Sequence, residues 1–312
     1  MGELLVVASV VVVGFVLLSL VSTARLGSRR VTALAGLAGV ALVAACGGTG
    51  PGTGPGTDPT PSATEPAPSP TVEPSETPES SEIPVYFLID TRAGLRLARE
   101  LREVTGDPVA GAVGTMIAGP LDPDYSTTWN PATTVLGVER DGATVVVDLS
   151  GDALTANVGS EAAALMVQQL VYTVVGAVGE DVRVLLHIDG EPAGDLWGAT
   201  TWPDPVAPVD PLNVRLLVQI DQPAEGAETT SPVTVSGDAA VFEANLLWHV
   251  LDAAGAQVAS GFTMTTEGQT FAPYSFTVDL EPGEYTVVIV EDDPSGGEGG
   301  TPMSDTATVT VS

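Results

Sequence analysis

The two histidines, His187 and His249, are the side chains of this chain best suited to act as a general base. A hydrolase would need one of them within reach of a nucleophilic serine and an orienting carboxylate. His187 lies in the stretch DVRVLLHID, whose alternating apolar residues leave it on the outer face with Arg183. His249 lies on the face of its predicted strand opposite Trp248. Because no Gly-rich phosphate loop or His-x-x-x-His pair accompanies them, we expect no catalytic residue, no cofactor and no enzymatic activity.

The acidic stretch VEDDPSGGEGGTPMSD could supply the hard oxygen ligands that calcium prefers. Glu291, Asp292 and Asp293 would be the first ligands, with Glu298 or Asp305 completing the shell. The spacing matches no EF-hand loop, and a solvated loop is the more usual state of such residues in an acidic protein. We therefore expect no metal site and keep Glu291, Asp292 and Asp293 as weak candidates for a calcium-responsive module.

A second acidic loop, GPLDPDYSTTWNP, contains two aromatic residues, Tyr125 and Trp129. If they are exposed, they would be able to stack on a glycan or fill a pocket of a partner. The alternative is that Trp129 caps the neighbouring sheet.

The single cysteine, Cys46, follows a basic and then an apolar segment. Three arginines precede the apolar run of residues 31–45, and this order, ending in small residues, is typical of a secretory signal. Gly, Thr and Pro follow at once, which disfavours a buried cysteine within a helix. The stretch VAAC, ending at Cys46, resembles the lipobox of bacterial lipoproteins. That resemblance implies that Cys46 carries a lipid, which leaves no thiol for a disulfide or a cysteine metal site.

Another apolar run, residues 4–21, precedes this segment and would be about 27 Å long as a helix, marginal for crossing a bilayer. In one interpretation the two runs form a membrane hairpin whose arginine-bearing turn is cytoplasmic. In the other, which we favour, the true start lies near Val21 and leaves a short, conventional signal. Both place the rest of the chain outside the cytoplasm, anchored on the outer face of the cytoplasmic membrane.

The charge of the chain limits its partners. The formal net charge is −30, and the sequence contains no lysine. A protein of this sign repels phosphates, which excludes nucleic acid and electrostatic docking on anionic lipid. The negative charge would allow the protein to bind a basic partner, or it would simply keep the protein soluble.

Composition divides the chain into four predicted parts: 1–46, the signal and lipobox region; 47–82, a stalk; 83–209, an α+β domain; and 210–312, an all-β sandwich. The stalk is rich in Pro, Gly, Ser and Thr and has too few apolar residues to form a core. We expect it to be disordered and extended.

Local signals in residues 83–209 alternate between strand and helix. IPVYFLID predicts a strand, and GLRLARELREV fits a strand or a helix, of which we favour the strand. Asp107 as an N-cap, Pro108 at the first helical position and Gly119 as a stop predict a helix.

The second half of this segment begins with a hairpin signal, Asp141-Gly142. Ser160 is expected to cap a second helix, and DVRVLLHID closes the unit as a strand. The order strand, strand, helix, strand, strand, helix, strand indicates two helices on one face of a mixed sheet.

Residues 210–312 show no helical period. Seven short stretches read as strands: NVRLLVQI, SPVTVSG, ANLLWHVLD, QVASGFTM, PYSFTVDL, GEYTVVIV and DTATVTVS. Their number and spacing suit an immunoglobulin-like sandwich. Trp248 is expected in its core, and Tyr285 in LEPGEY is expected to form a tyrosine corner.

The ordered series VYFLID, MIAGP, TTVLGVERDGATVVVDLS, QQLVYTVV and VRVLLHIDGEP resembles the GerMN domain of sporulation and spore-germination proteins. The stretch QPAEGAETTSPVTVSGDAAVFEANLLWHV resembles the immunoglobulin-like domain that often follows it. The resemblance implies an extracytoplasmic protein without known catalytic residues, with a fold similar to the ring-building modules of sporulation complexes. It also implies that a homo-oligomer is possible.

Together these features predict a non-catalytic, lipid-anchored scaffold that binds envelope proteins or peptidoglycan. The competing hypothesis is an accessory of a cell-wall enzyme, which would require catalytic residues that the sequence does not offer.

Overall fold

The computed structural model describes residues 80–293, 295, 298 and 300–312. Cys46, the two apolar runs and the predicted stalk up to residue 79 lie outside the described residues. The predictions made for them therefore remain predictions.

A long hairpin opens the described chain. Strand β1 (Ser80–Thr91) pairs with β2 (Gly94–Thr105) along its whole length, with Phe87 opposite Ala98. The strand interpretation of GLRLARELREV is confirmed. The central residues of the hairpin are buried on both faces, and Phe87 has no exposed surface. Burial of a side chain of this size contributes about 2 kcal/mol.

Helix α1 (Pro108–Ala118) begins and ends where its signals predicted. The Asp107 carboxylate accepts a hydrogen bond from the Ala110 amide at 2.8 Å, and Gly119 ends the helix at φ 107°. A cap of this kind is worth about 1 kcal/mol.

The predicted mixed sheet is formed by β3 (Val135–Asp141), β4 (Thr144–Leu149), β5 (Arg183–Ile188) and β6 (Glu191–Pro192), in that order. Strands β3 and β4 form the hairpin predicted at Asp141-Gly142, and β4 and β5 are parallel. A 3-10 turn, Gly151–Leu154, follows β4. Strands β1 and β2, which the predicted order included in this mixed sheet, instead form a separate two-stranded sheet.

Helix α2 (Ser160–Val178) crosses between β4 and β5. Ser160 was expected to cap it, but this prediction is wrong by one residue. The helix already includes Ser160, and Gly159 holds the extended cap position without a side-chain hydrogen bond. Once Ser160 adopts helical dihedrals it is no longer placed as a cap.

The apolar face of α2 lies in the core. By length and composition α2 could cross a membrane, but its apolar stripe has no exposed surface, as expected of the core helix of a folded domain. The stripe consists of Ala163, Met166, Leu170 and Val174.

The backbone groups on the edge of β1 that does not pair with β2 form hydrogen bonds with α2 and with the loop that contains Ser126. Gln169 of α2 donates from Nε2 to the Tyr86 carbonyl at 2.9 Å, and the Tyr86 amide donates to Thr173 Oγ1 at 3.1 Å. The backbones of Leu88 and Ser126 exchange two hydrogen bonds of 2.8 Å. These partners explain why Gln169 and Thr173 are buried in an otherwise apolar helix face.

After β6 come the short strands β7 (Asp195–Leu196) and β8 (Thr200–Thr201), and the helical turn α3 (Pro211–Val214) precedes the sandwich strands. NVRLLVQI was expected to be a strand throughout, but its first two residues belong to α3. Asp210 caps this turn by accepting from the Leu212 amide at 2.9 Å, with Pro211 at its first position. The cap and the proline favour a helical start over an extended one.

The second domain is a sandwich of two sheets. The larger has the order β10-β16-β15-β12-β13 and the smaller β14-β11-β9. All seven predicted strands are present, and β10 is an additional short one. The bounds are β9 Val218–Gln222, β10 Ala227–Thr229, β11 Val233–Ala239, β12 Asn245–Asp252, β13 Gln257–Met264, β14 Ala272–Val278, β15 Gly283–Glu291 and β16 Ser304–Val311.

Both aromatic predictions for the sandwich are confirmed. Trp248 stacks on Phe276 of the opposite sheet, with ring centroids 4.6 Å apart. The Tyr285 hydroxyl donates to the Glu281 carbonyl at 2.9 Å, which forms the tyrosine corner.

Candidate functional site

The two histidines lie in different sheets. His187 on β5 stands opposite Asp148 and Pro192 in the strand register, and His249 on β12 stands opposite Ser260 and Val288. Neither imidazole makes a hydrogen bond or ion pair within the described part of the chain. The structure therefore brings neither histidine into a nucleophile, base and carboxylate arrangement.

The carboxylates of the acidic stretch point to separate donors. Glu291 Oε2 accepts from Arg92 Nη2 at 2.9 Å and from the Met303 amide at 2.6 Å. Asp292 accepts from Asn245 Nδ2 at 2.8 Å. Asp293 accepts from the Ser295 amide at 2.9 Å. Among residues 80–293, 295, 298 and 300–312, no group of three or more acidic, His or Cys side chains is arranged to hold a metal ion.

The interpretation of Tyr125 and Trp129 as exposed aromatics is wrong, because both are buried. Trp129 packs edge-on against Trp197, with ring centroids 5.5 Å apart and planes at 84°. The backbone bridge from Ser126 to Leu88 holds the loop against β1 and turns its aromatic side chains inward.

A polar cluster joins the first domain to the sandwich, and we call it the domain junction: Arg99, Tyr125, Asp221, Asp238 and Asp305. Arg99 of β2 donates from Nε and Nη2 to the two carboxylate oxygens of Asp221, at 2.8 and 2.6 Å. Its Nη1 lies 3.1 Å from Asp238 Oδ2. All three side chains are largely buried, and a two-pronged pair of this kind fixes orientation as well as distance.

Asp305 is the most deeply buried carboxyl of the junction, with 2% of its surface exposed. Its Oδ1 accepts from the Tyr125 hydroxyl at 2.6 Å, and its Oδ2 accepts from the Ile220 amide at 2.6 Å. Burial raises the pKa of Asp305 to about 7, and the hydrogen bonds from Tyr125 and Ile220 offset only part of that increase. Burial also raises the pKa of the Tyr125 hydroxyl well above its usual value.

Further contacts extend the junction. The Leu216 amide donates to the Leu97 carbonyl at 2.8 Å. Gln219 Nε2 donates to the Arg99 carbonyl at 3.1 Å. The Arg215 guanidinium donates to Asp238 at 2.7 Å and lies 3.9 Å from the centre of the Phe271 ring. A single apolar cluster runs through both domains, which belong to one compact unit. The junction therefore has a structural role: Arg99 pairs with Asp221 and Asp238, and Asp305 is held by Tyr125 and the Ile220 amide.

A second feature is a set of exposed apolar side chains on strands β12 and β13 of the sandwich. We call it the outer edge: Leu247 of β12 with Val258, Phe262 and Met264 of β13. Their exposed fractions are 39%, 50%, 70% and 59%. Leu247 stands directly opposite Phe262, and Met264 lies two residues further along β13, so these three side chains share one outward face. Val258 is exposed at the other end of β13, where the pairing with β12 shifts register.

Residues 84–194 match the family described as "Sporulation and spore germination". Residues 217–298 match the "Immunoglobulin-like domain of bacterial spore germination". The chain carries these two domains side by side. Comparison with the curated proteins gave no match.

Solved structures of related domains have low sequence identity to this chain. The tandem GerMN domains of the sporulation protein GerM from Bacillus subtilis are 15% identical, with a TM-score of 0.35, over 45% of this chain and 49% of that one. The first GerMN domain of the same protein is 20% identical, with a TM-score of 0.34, over 40% and 97%. A putative lipoprotein from Clostridium perfringens is 16% identical, with a TM-score of 0.29, over 44% and 93%. The chain therefore spans about half the length of the tandem-domain structure.

The domain junction ties the spore-germination domain to its immunoglobulin-like partner. Arg99 and Tyr125 come from the first, and Asp221 and Asp238 from the second. Sequence reasoning missed this site because its partners are 122 and 180 positions apart in the chain. The sequence carried only a weak signal for the outer edge, which is that the β13 stretch QVASGFTM contains no charged residue.

Proposed function

We propose that this protein is a non-catalytic scaffold of the bacterial cell envelope, anchored by a lipid on Cys46, and that it binds another envelope protein through its immunoglobulin-like domain. The observation that carries the proposal is the outer edge. Leu247, Phe262 and Met264 form an exposed apolar patch on one sheet face, and contiguous apolar patches of this kind mark interaction sites.

The rigid junction supports a scaffold. Buried ion pairs and a continuous core hold the two domains in one orientation, so that a partner bound to the sandwich is also positioned relative to the first domain. The sporulation and germination families of both domains agree with a non-enzymatic role in that process. A partner protein fits the apolar edge better than peptidoglycan, whose sugars and peptides are largely polar.

Incubation of purified peptidoglycan with the full-length protein is expected to release no more soluble fragments than incubation with buffer. The reason is that neither histidine has the neighbours that a general base requires. The measurement is chromatography of the released fragments, with the His187→Ala and His249→Ala variants in parallel. Turnover that disappears in either variant would overturn the proposal in favour of a cell-wall enzyme.

Replacing Cys46 with alanine is expected to move the protein from the membrane fraction to the soluble or secreted fraction, because no other thiol is available to carry the lipid. Metabolic labelling with an alkyne-tagged fatty acid shows whether the protein carries a lipid, and fractionation of the cells shows whether it is in the membrane. We expect label on the wild type and none on the Cys46→Ala variant. Equal membrane retention of the two proteins, with no label on either, would assign the attachment to the apolar runs instead.

A further inference from the structure

Strand β13 is the end strand of the larger sheet and has β12 on one side only. Its eight residues, Gln257–Met264, include no proline and no charged side chain. Soluble proteins usually protect such edges with charges, prolines, bulges or very short strands, because an open edge pairs with other extended chains. In β13 the pairing with β12 shifts register at Val258, near the start of the strand, and the remaining residues pair regularly. The regular part of this edge, residues 259–264, is about 20 Å long, which is sufficient to accept a short additional strand.

The side chains of β13 are arranged for such a strand. Phe262 and Met264 alternate with less exposed residues, and Leu247 of β12 extends the apolar row from the edge onto the sheet. A segment added beside β13 would place every second side chain against this row, since facing residues of paired strands lie about 5 Å apart. An apolar residue at every second position would match it.

Charge restricts the partner further. The sequence from residue 217 to residue 312 contains no Lys or Arg, so apart from His249 every charged side chain of the sandwich is acidic. Exposed Glu243 and Glu267 lie at the Met264 end of β13, where the Thr265 amide bonds the Ala244 carbonyl. Asp252 lies at the other end, where its backbone amide bonds the Ala256 carbonyl. The apolar row is therefore flanked by negative charge at both ends.

A second copy of this chain is a poor occupant for the same reason. Antiparallel pairing of two β13 strands would bring Asp252 of each copy toward Glu243 and Glu267 of the other. Like charges across an interface disfavour association, and no cation of the sandwich compensates them.

We propose that β13 is the docking edge of the protein, and that its partner is an extended segment of another protein with alternating apolar residues between cationic ends. This inference rests on the proposed scaffold function and gives it a site. The new strand would gain backbone hydrogen bonds from β13, apolar contacts with Phe262 and Met264, and charge attraction at both ends.

The test uses a synthetic peptide, Lys-Lys-Val-Thr-Val-Thr-Val-Lys-Lys, and a second peptide with Glu in place of every Lys. Each is titrated by fluorescence anisotropy into the full-length protein held in neutral detergent. The Lys-flanked peptide is expected to bind at least about tenfold more tightly than the Glu-flanked one, with an affinity that falls as salt is added. Hydrogen exchange of the amides in residues 257–264 is expected to slow when it binds.

Matched variants locate the binding. Phe262→Ser is expected to weaken binding about fivefold or more. Leu136→Ser, which removes a side chain 53% exposed on another end strand, β3, is expected to leave the affinity unchanged. Equal affinity for the two peptides, indifference to Phe262→Ser, or protection at a strand other than β13 would overturn the inference.

Sedimentation of the protein alone separates this inference from the proposed function. If the wild type is a dimer and Phe262→Ser dissociates it, the edge of β13 binds a second copy of the chain. That result would overturn the inference of a cationic partner and leave the scaffold proposal unchanged. If the Lys-flanked peptide does not bind, the inference of a cationic extended partner is overturned. The proposed scaffold function is not, because it is tested separately by identifying the proteins that this protein contacts in cells.

Discussion

The Arg99→Ala variant is expected to unfold with a free energy about 3 kcal/mol lower than that of the wild type. Removal of this guanidinium leaves Asp221 and Asp238 without their shared partner in a largely buried place, and breaking one side of a buried ion pair typically costs about 3–5 kcal/mol. Arg215 still pairs with Asp238, which keeps the expected loss near the lower end of that range. Urea denaturation at pH 7 measures the difference.

Arg140→Ala is the matched control for this prediction. Arg140 pairs with Glu180 at 2.6 Å, as close as Arg99 pairs with Asp221, but both side chains of the Arg140–Glu180 pair are exposed. Exposed pairs contribute about 0–1 kcal/mol, so Arg140→Ala is expected to change stability very little. If the two variants lost the same free energy of unfolding, the buried pairs of Arg99 would stabilise the fold no more than an exposed pair does, which would contradict the structural role of the junction.

The second large effect is a pH dependence of stability that comes from Asp305. Its pKa is about 7 in the folded protein, whereas an aspartate in an unfolded chain has a pKa of about 3.9. Between these values the folded state binds the proton that the unfolded state has released. Stability therefore falls as pH rises from about 4 to about 7 and then levels off, with a total change of up to about 4 kcal/mol. Asp122, whose pKa burial raises to about 6, acts in the same direction.

Asp305→Asn is expected to remove most of this slope. Asparagine keeps the shape and remains neutral, so it holds the Ile220 amide without the cost of a buried charge. Asp279→Asn, an exposed residue of the same sandwich, makes the same change in net charge and is expected to leave the slope unchanged. The measurement is urea denaturation of the three proteins at pH 5, 6, 7 and 8. Stability that rises with pH in this range, or an equal slope in Asp305→Asn, would contradict the account.

The elements that sequence reasoning predicted correctly carry their signals locally. Asp107, Pro108 and Gly119 lie within one helix and its caps, and Asp141-Gly142 forms its own turn. Tyr285 bonds a carbonyl four positions away. In each case the chain makes the deciding contact with itself over a few residues, so the order of residues is enough.

The predictions that were wrong depended on neighbours in space or on a local signal that was overlooked. Tyr125 is buried because Asp305 arrives from a strand 180 positions later, and no property of its own loop indicates that. The start of NVRLLVQI is different. Asp210 and Pro211 form the same cap as Asp107 and Pro108, and this signal could have identified the helical turn α3.

The central claim, a scaffold that works by contact with another envelope protein, is tested most directly by photo-crosslinking in living cells. A photoreactive amino acid is placed at position 262 of the full-length protein, and at position 136 as a control, and the attached molecules are identified by mass spectrometry. We predict a reproducible protein adduct at position 262 and none at position 136. Attachment only to glycan fragments, or no attachment at either position, would contradict the claim.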